Sequence, residues 1–287
     1  MTPTVLDTAV LAGLCDDAAI FPPGSLPLHR AVAAHLAHRE APHSTLVGPL
    51  VVRTADLPAL ARITAGRTPG SVDLAVTVPS PAAVRAAVAD TQRIEAARLT
   101  ALEVVVPEAL HVAAVVPMLE EGVGDPEGVS VYVEVPRDDR RDDLLAELAG
   151  TPYLAKLRTG GVRADLYPSE SELAATIASA VRHGVPFKAT AGLHHAVRNT
   201  DPATGFEQHG FLNLLVATHA ALEGAAETDL AVLLAERDGS RLAELVREVP
   251  PSTREAFRSF GTCHIGEPVS ELADLGLLDP DLVPGLS

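Results

Sequence analysis

Short runs of apolar and β-branched residues alternate along the chain with stretches of helical periodicity. The runs predict strands over 18–22, 46–53, 71–78, 99–106, 129–135, 154–159, 185–191 and 259–265. The stretches between them predict helices over 27–39, 55–65, 80–97, 108–121, 138–149, 169–183, 211–223 and 268–277, with one or two more over 228–247. Parallel strands must be joined by crossover helices, so this regular alternation predicts a parallel sheet.

Eight strand–helix units within 287 residues favour an α/β fold of the (β/α)8 TIM-barrel type, forming a single domain over residues 1–287. The first strand is the weakest of the eight, because Pro22 and Pro23 cannot donate ladder hydrogen bonds. An open sheet or an incomplete barrel is therefore the alternative. The longest irregular stretch, 193–210, follows the seventh strand and predicts a lid loop over the barrel mouth.

Alternation along each strand indicates which side chains face the interior of such a barrel. Apolar positions such as Leu102 and Leu157 suit the helix layer, so the polar residues beside them are expected to point inward. The predicted mouth contains Arg53, Thr77, Glu103, Tyr132, Glu134, Lys156, Arg158, Lys188 and Thr190, with Cys263 or His264 from the last strand. Buried charges are costly unless they are paired or functional, so the pattern indicates an active site or, alternatively, a ring of structural salt bridges.

The chain contains two lysines, Lys156 and Lys188, and twenty arginines. Codon bias in a GC-rich genome explains why lysine is rare but not where the two lysines stand. A lysine amine can lose its proton when it is desolvated or crowded by another cation, and the neutral amine can form a Schiff base or act as a base. Binding of phosphate or carboxylate is the competing role, which arginine performs equally well. We expect imine or proton chemistry, with mutual repulsion lowering the pKa of at least one lysine.

The two lysines also stand in related motifs, K-L-R-T-G from Lys156 and K-A-T-A-G-L from Lys188, 32 residues apart. These motifs resemble the paired lysine motifs K-x-x-T-G and K-A-x-G-G of deoxyribose-phosphate aldolase and related class I aldolases. The resemblance covers roughly residues 150–195. It implies an imine on Lys156, tuning of that amine by Lys188, and a carboxylate on an earlier strand that moves protons. Arg158 stands where those aldolases have a small residue, and Glu103 stands in for an aspartate.

The resulting prediction is an aldolase-like lyase that acts on a small carbonyl compound carrying phosphate or carboxylate. Glu103, Glu134 or Tyr132 is expected to move the proton, and Arg53 and Arg158 to hold the anionic group. The other predicted substrate-binding residues come from the loops and strand ends of the mouth: Thr159, Gly160, Thr190, Gly192, His194, His195 and His264. No cofactor and no metal are expected.

Eleven histidines nevertheless allow a second interpretation, a metal-dependent hydrolase or isomerase on the same barrel. Its ligands would be His194 or His195, His264, and either Glu134 or Asp16, although no H-x-H or H-E-x-x-H spacing supports them. Asp16 and Asp17, before the first predicted strand, could equally reach the mouth or cap a turn. A third interpretation is a barrel that serves as a non-catalytic subunit.

A formal net charge of −16 argues against nucleic acid and anionic membranes as partners. A small anion can still bind, because only the local field of a pocket matters for it. The chain has two cysteines, too few to predict a disulfide framework. No apolar run of about 18 residues predicts a membrane span. With no charged and then apolar leader, we expect a cytoplasmic protein, with a homo-oligomer as an open possibility.

Overall fold

The computed structural model describes residues 5–124 and 128–283. The strands are β1 Cys15–Asp17, β2 Val47–Arg53, β3 Val72–Val78, β4 Ala97–Val104, β5 Ser130–Glu134, β6 Leu154–Arg158, β7 Phe187–Thr190, β8 Asn199–Thr200, β9 Glu207–Gln208 and β10 Phe257–Thr262. All except β8 and β9 form a closed barrel in the order β1-β10-β7-β6-β5-β4-β3-β2, and every neighbouring pair is parallel. The prediction of a (β/α)8 barrel is confirmed.

The helices are α1 Thr8–Leu11, α2 Leu28–Glu40, α3 Leu57–Ile63, α4 Val84–Gln92, α5 Val115–Val123, α6 Arg141–Leu148, α7 Glu170–Arg182, α8 Phe211–Leu222, α9 Glu227–Ala235, α10 Gly239–Arg247 and α11 Gly266–Asp274. The stretch 228–247 contains two helices, α9 and α10. Helix α5 begins later than predicted, because the His111 ring accepts a hydrogen bond from the Ala113 N–H at 3.3 Å and caps a short 3-10 turn before it. Among the described residues, no helix is both long and apolar enough to cross a membrane.

The first strand was predicted in the wrong place. It covers Cys15–Asp17, and residues 18–22 form a turn that leads into a cis Pro22-Pro23 bond. Pro22 and Pro23 have no N–H with which to join a ladder, whereas Asp16 and Asp17 pair in register with Gly261 and Thr262. The acidic pair therefore belongs to the barrel wall.

The apolar core has two layers. Most of it lies between the strands and the helices and includes Leu102 and Leu157. A small second cluster lies inside the barrel, where Val51, Ala101 and Tyr132 contact one another with Ala75. The polar side chains of the same strands lie nearer the mouth than this inner cluster does.

The segment 193–210 after β7 contains a short antiparallel hairpin, β8 with β9, that the sequence did not predict. Buried Arg198 holds the segment against the start of α7, with its Nη2 2.6 Å from Glu170 Oε1. The His209 Nε2 donates to the Pro168 carbonyl at 2.8 Å. The role of this segment as a lid stays a prediction.

Candidate functional site

The strand register brings the two lysines side by side. Lys156 on β6 pairs in register with Lys188 on β7 and, on its other side, with Glu134 on β5. Both lysine side chains are buried, and both point inward as predicted. Because these residues occupy one level of neighbouring parallel strands, their charged groups must form a single cluster.

Glu103 joins the two amines. Its Oε2 lies 3.0 Å from Lys156 Nζ, and its Oε1 accepts a hydrogen bond from Lys188 Nζ at 2.5 Å. Burial by itself would raise the pKa of Glu103, but the two ammonium groups outweigh that effect and lower the pKa to about 2. Glu103 is therefore a carboxylate at every ordinary pH.

Lys188 is fully buried inside the barrel. Its Nζ also donates to Asp16 Oδ2, which accepts a second hydrogen bond from the Ser259 hydroxyl at 2.8 Å. The ammonium lies 5.3 Å from the centre of the Tyr132 ring, within the range of a cation–π contact. The Lys188 side chain has no solvent exposure, so it can act on a bound molecule only through its neighbours.

Asp16 fits into this cluster because β2 has a glycine beside it. A Cβ at Gly48 would come within 2.2 Å of Asp16 Oδ1, so any side chain there would displace the carboxylate. Burial raises the pKa of Asp16, and the Lys188 ammonium only partly offsets that shift. Asp16 therefore takes up a proton more readily than Glu103 does. The sequence left Asp16 undecided between the mouth and a turn, and only the barrel register resolves the choice.

Lys156 lies at the open side of the cluster. Its Nζ is 3.0 Å from Glu134 Oε2 as well as from Glu103, and its side chain reaches a cavity of about 160 Å³ at the carboxyl ends of the strands. Lys188 is not among the residues that line this cavity. The two lysines therefore differ in access, which their similar motifs do not indicate.

The expected fall in a lysine pKa is wrong for the unliganded protein. Burial lowers the pKa of each amine, but the carboxylates of Glu103 and Glu134 raise that of Lys156 above its ordinary value. Asp16 and Glu103 do the same for Lys188. The prediction considered only repulsion between cations, whereas each amine has two carboxylate partners within 3.0 Å. Both lysines are ammonium ions at neutral pH.

The cavity combines polar groups from several strands with an apolar wall. Its polar lining residues include Thr77, Glu103, Lys156, Arg158, Thr190 and His194, and its apolar ones include Phe21, Val51, Val162 and Cys263. The cavity also reaches Gly192. This mixture of an apolar wall with a few convergent polar groups is typical of a small-molecule site.

Arg158 follows Lys156 on the same face of β6. Its Nε donates to the Gly160 carbonyl at 3.1 Å, and its Nη1 lies 3.9 Å from Glu134 Oε1. That ion pair is longer than a hydrogen bond, and 38% of the side chain is exposed. The guanidinium can therefore turn one edge toward a bound anion.

Five of the predicted substrate-binding residues lie outside the cavity, and two of the five are histidines. Arg53 projects outward over the Phe21 ring, with its guanidinium 4.6 Å from the ring centre. The Thr159 hydroxyl donates to the Ala191 carbonyl at 2.6 Å and ties the loop after β6 to the loop after β7. Gly160 packs against Gly192 in the same junction. Strand alternation cannot predict these positions, because each residue lies at or beyond the end of its strand.

Of the three predicted histidines, one lines the cavity and two do not. His194 lines the cavity, with its Nδ1 3.5 Å from Cys263 Sγ, and burial lowers its pKa. His195 turns away, and its Nδ1 lies 2.6 Å from Glu271 Oε1 on α11. His264 is exposed. In the part of the chain that the structure describes, no three His, Cys, Asp or Glu side chains could together hold a metal ion.

Comparison with solved structures gives distant similarities. Searches of family models and of curated proteins returned no match. Among solved structures, the chain is similar to a deoxyribose phosphate aldolase from Aeropyrum pernix, described as a unique tetramer, with 14% identity over 94% of this chain and 93% of that one and a TM-score of 0.49. It is also similar to a Yersinia pestis DHPS bound to a pterine-sulfa conjugate, with 11% identity over 96% and 98% and a TM-score of 0.42. At these values neither similarity indicates a function.

Proposed function

We propose that the protein is an aldolase-like lyase that forms an imine between the Lys156 amine and a small carbonyl compound. One observation carries the proposal: the Lys156 side chain lines the cavity, and its Nζ lies 3.0 Å from each of two carboxylates, Glu103 and Glu134. An amine that attacks a carbonyl must first lose a proton to a nearby base, and here two bases are already in hydrogen-bonding range.

The chemistry can be assigned to atoms of the cluster. The carboxylates keep Lys156 protonated at rest, so the first step passes one proton from Nζ to Glu134 Oε2. The neutral amine then bonds to the carbonyl carbon, and the same carboxyl group returns the proton as the carbinolamine loses water. Glu103 lines the cavity and Glu134 does not, but Glu134 suits this exchange better, because it contacts one lysine whereas Glu103 is held ionised by two.

Lys188 is a positioning residue in this proposal. Its ammonium keeps Glu103 ionised and directed at Lys156, and it cannot reach the carbonyl compound itself. Tyr132 lies beneath the Lys188 ammonium as part of the inner apolar cluster. Lys188 therefore acts through the position and charge of Glu103, and Tyr132 acts through its contact with Lys188.

A non-catalytic barrel is the second candidate, because each ammonium already has two carboxylate partners, as a structural ion-pair cluster requires. The metal-dependent alternative gains no support, since His195 and His264 lie away from the cavity.

Reductive trapping separates these candidates. The protein is incubated with acetaldehyde, pyruvate or glyceraldehyde 3-phosphate, then reduced with sodium borohydride, and the adduct is located by peptide mass. The chain offers only two lysine amines and its N-terminus, so the assignment is simple. We expect an adduct on Lys156 and its loss in Lys156→Arg, which keeps the charge but cannot form an imine. Labelling of neither lysine by any of the three compounds would contradict the proposal.

A further inference from the structure

The charges around the cavity leave one cation available to a ligand. The two ammonium groups face three carboxylates, those of Asp16, Glu103 and Glu134. Arg158 is bound less closely, through a 3.9 Å pair with Glu134. Among the described residues that line the cavity, Lys156 and Arg158 carry the permanent positive charges, and the first is already neutralised. An anionic group of the substrate would therefore bind at Arg158.

The distances place that group close to the reacting carbonyl. Lys156 and Arg158 are two residues apart on β6 and point to the same side. The single carboxylate of Glu134 reaches both, with Oε2 3.0 Å from Lys156 Nζ and Oε1 3.9 Å from Arg158 Nη1. A group only as large as a carboxylate thus spans the amine and the guanidinium.

A phosphate has little support at the places where barrels usually bind it, the loops after the seventh and eighth strands and the helix that follows them. At the start of α8, the Phe211 and Leu212 N–H groups already donate to the carbonyls of His195 and Ala196 at 3.1 and 3.0 Å. Helix α11 brings two carboxylates to this region. Glu267 lies 4.0 Å from His194 Nδ1, and Glu271 accepts from the Ala196 N–H at 2.5 Å. A phosphate dianion here would meet negative charge.

Resting on the proposed function, we infer that the substrate is a small 2-oxo acid whose carboxylate binds Arg158 while Lys156 attacks the neighbouring carbonyl carbon. The step balances: the ammonium and the ketone give an iminium and one water, so a C=N double bond replaces the C=O double bond and the departing oxygen takes two protons from the nitrogen. A cavity of about 160 Å³ suits a molecule of a few carbon atoms.

Concentration-dependent trapping on the full chain tests this inference. Borohydride adducts on Lys156 are measured with pyruvate, with its uncharged methyl ester, and with glyceraldehyde 3-phosphate. Wild-type protein should half-saturate at the lowest concentration with pyruvate. Arg158→Gln should raise the pyruvate concentration needed by roughly ten- to a hundredfold, the usual range for a charged hydrogen bond. Arg163→Gln is the matched control, because Arg163 is 68% exposed and pairs with Asp165 outside the cavity.

The outcomes distinguish the two proposals. If methyl pyruvate or the aldehyde phosphate labels Lys156 at lower concentration than pyruvate does, or if Arg158→Gln leaves the preference for pyruvate unchanged, the 2-oxo acid is wrong and the imine stands. If neither these three compounds nor acetaldehyde labels Lys156, both proposals fail. The comparison of the three compounds in wild-type protein stays decisive even if Arg158→Gln does not fold.

Discussion

Glu103 is the residue on which the charged cluster depends. Each of its two carboxylate oxygens contacts a different buried ammonium, so its removal leaves two positive charges facing each other without the group between them. Glu134 differs, because it contacts one lysine and remains partly open to solvent. The two carboxylates therefore offer a comparison in which the chemical change is identical, while the burial and the number of ammonium partners differ.

We expect Glu103→Gln to lower the free energy of unfolding by roughly 3–5 kcal/mol, the usual cost of leaving a buried charge without its partner. Glu134→Gln should cost less, roughly 1 kcal/mol, because water can replace part of the lost interaction. Urea unfolding at pH 7 measures both values. Equal losses in the two variants would mean that the cluster is not organised around Glu103.

The junction between the loops after β6 and β7 illustrates what the glycines of the two lysine motifs do. Gly192 has φ of 71°, and a Cβ there would lie 2.7 Å from the Tyr167 ring and 3.0 Å from Gly160 Cα. Gly160 and Gly192 were predicted to bind substrate. The contacts provide an additional reason for them, since the two loops approach each other too closely for side chains.

A pair of glycines separates the two costs of substitution. Gly205 has nearly the same φ, 73°, but no atom lies within 4 Å of a Cβ built on it. Gly205→Ala should therefore cost only the left-handed backbone strain, roughly 1–2 kcal/mol. Gly192→Ala should add the cost of overpacking, for a total of roughly 2–5 kcal/mol. Denaturant titration of both variants measures the difference. Equal costs would show that the two loops can move apart to accommodate a methyl group.

At the scale of the whole molecule, a buried histidine links stability to pH. His209 accepts from Arg198 at Nδ1, over 3.1 Å, and donates to the Pro168 carbonyl from Nε2, so its ring is neutral. Burial is the main cause that lowers its pKa, to about 4 from 6.5. The unfolded chain therefore binds the proton first as the pH falls. The contribution of the neutral His209 ring to the free energy of unfolding is complete at neutral pH and is lost progressively between about pH 6.5 and pH 4.

We expect this one proton to reduce the free energy of unfolding by on the order of 3 kcal/mol over that window. The informative quantity is the difference in slope between wild-type protein and His209→Gln, which has no titrating ring at this position, because the contributions of all other groups cancel in that difference. Thermal or urea unfolding at several pH values from 7 to 4 measures it. Identical slopes in the two proteins would mean that groups other than His209 cause the pH dependence of stability. Protonation of Glu103 should cause a separate loss of stability at lower pH, between pH 4.5 and about 2.

The sequence by itself determined the barrel and the inward direction of Glu103, Glu134, Lys156 and Lys188. The reason is local: alternation along a strand and the cost of burying charge act on neighbouring residues, and both are visible in the order of the side chains. The misplaced first strand shows the limit of that information, since three residues contain too short a pattern to mark a strand.

Only the tertiary structure decided which lysine meets the cavity, which histidine remains beside it, and that Asp16 completes the cluster. These features depend on groups far apart in the chain, such as Lys188 with Asp16 and His195 with Glu271. The same distance explains the error in the lysine pKa values. A pKa is set by all charges within a few ångströms, and strand alternation does not determine those distances.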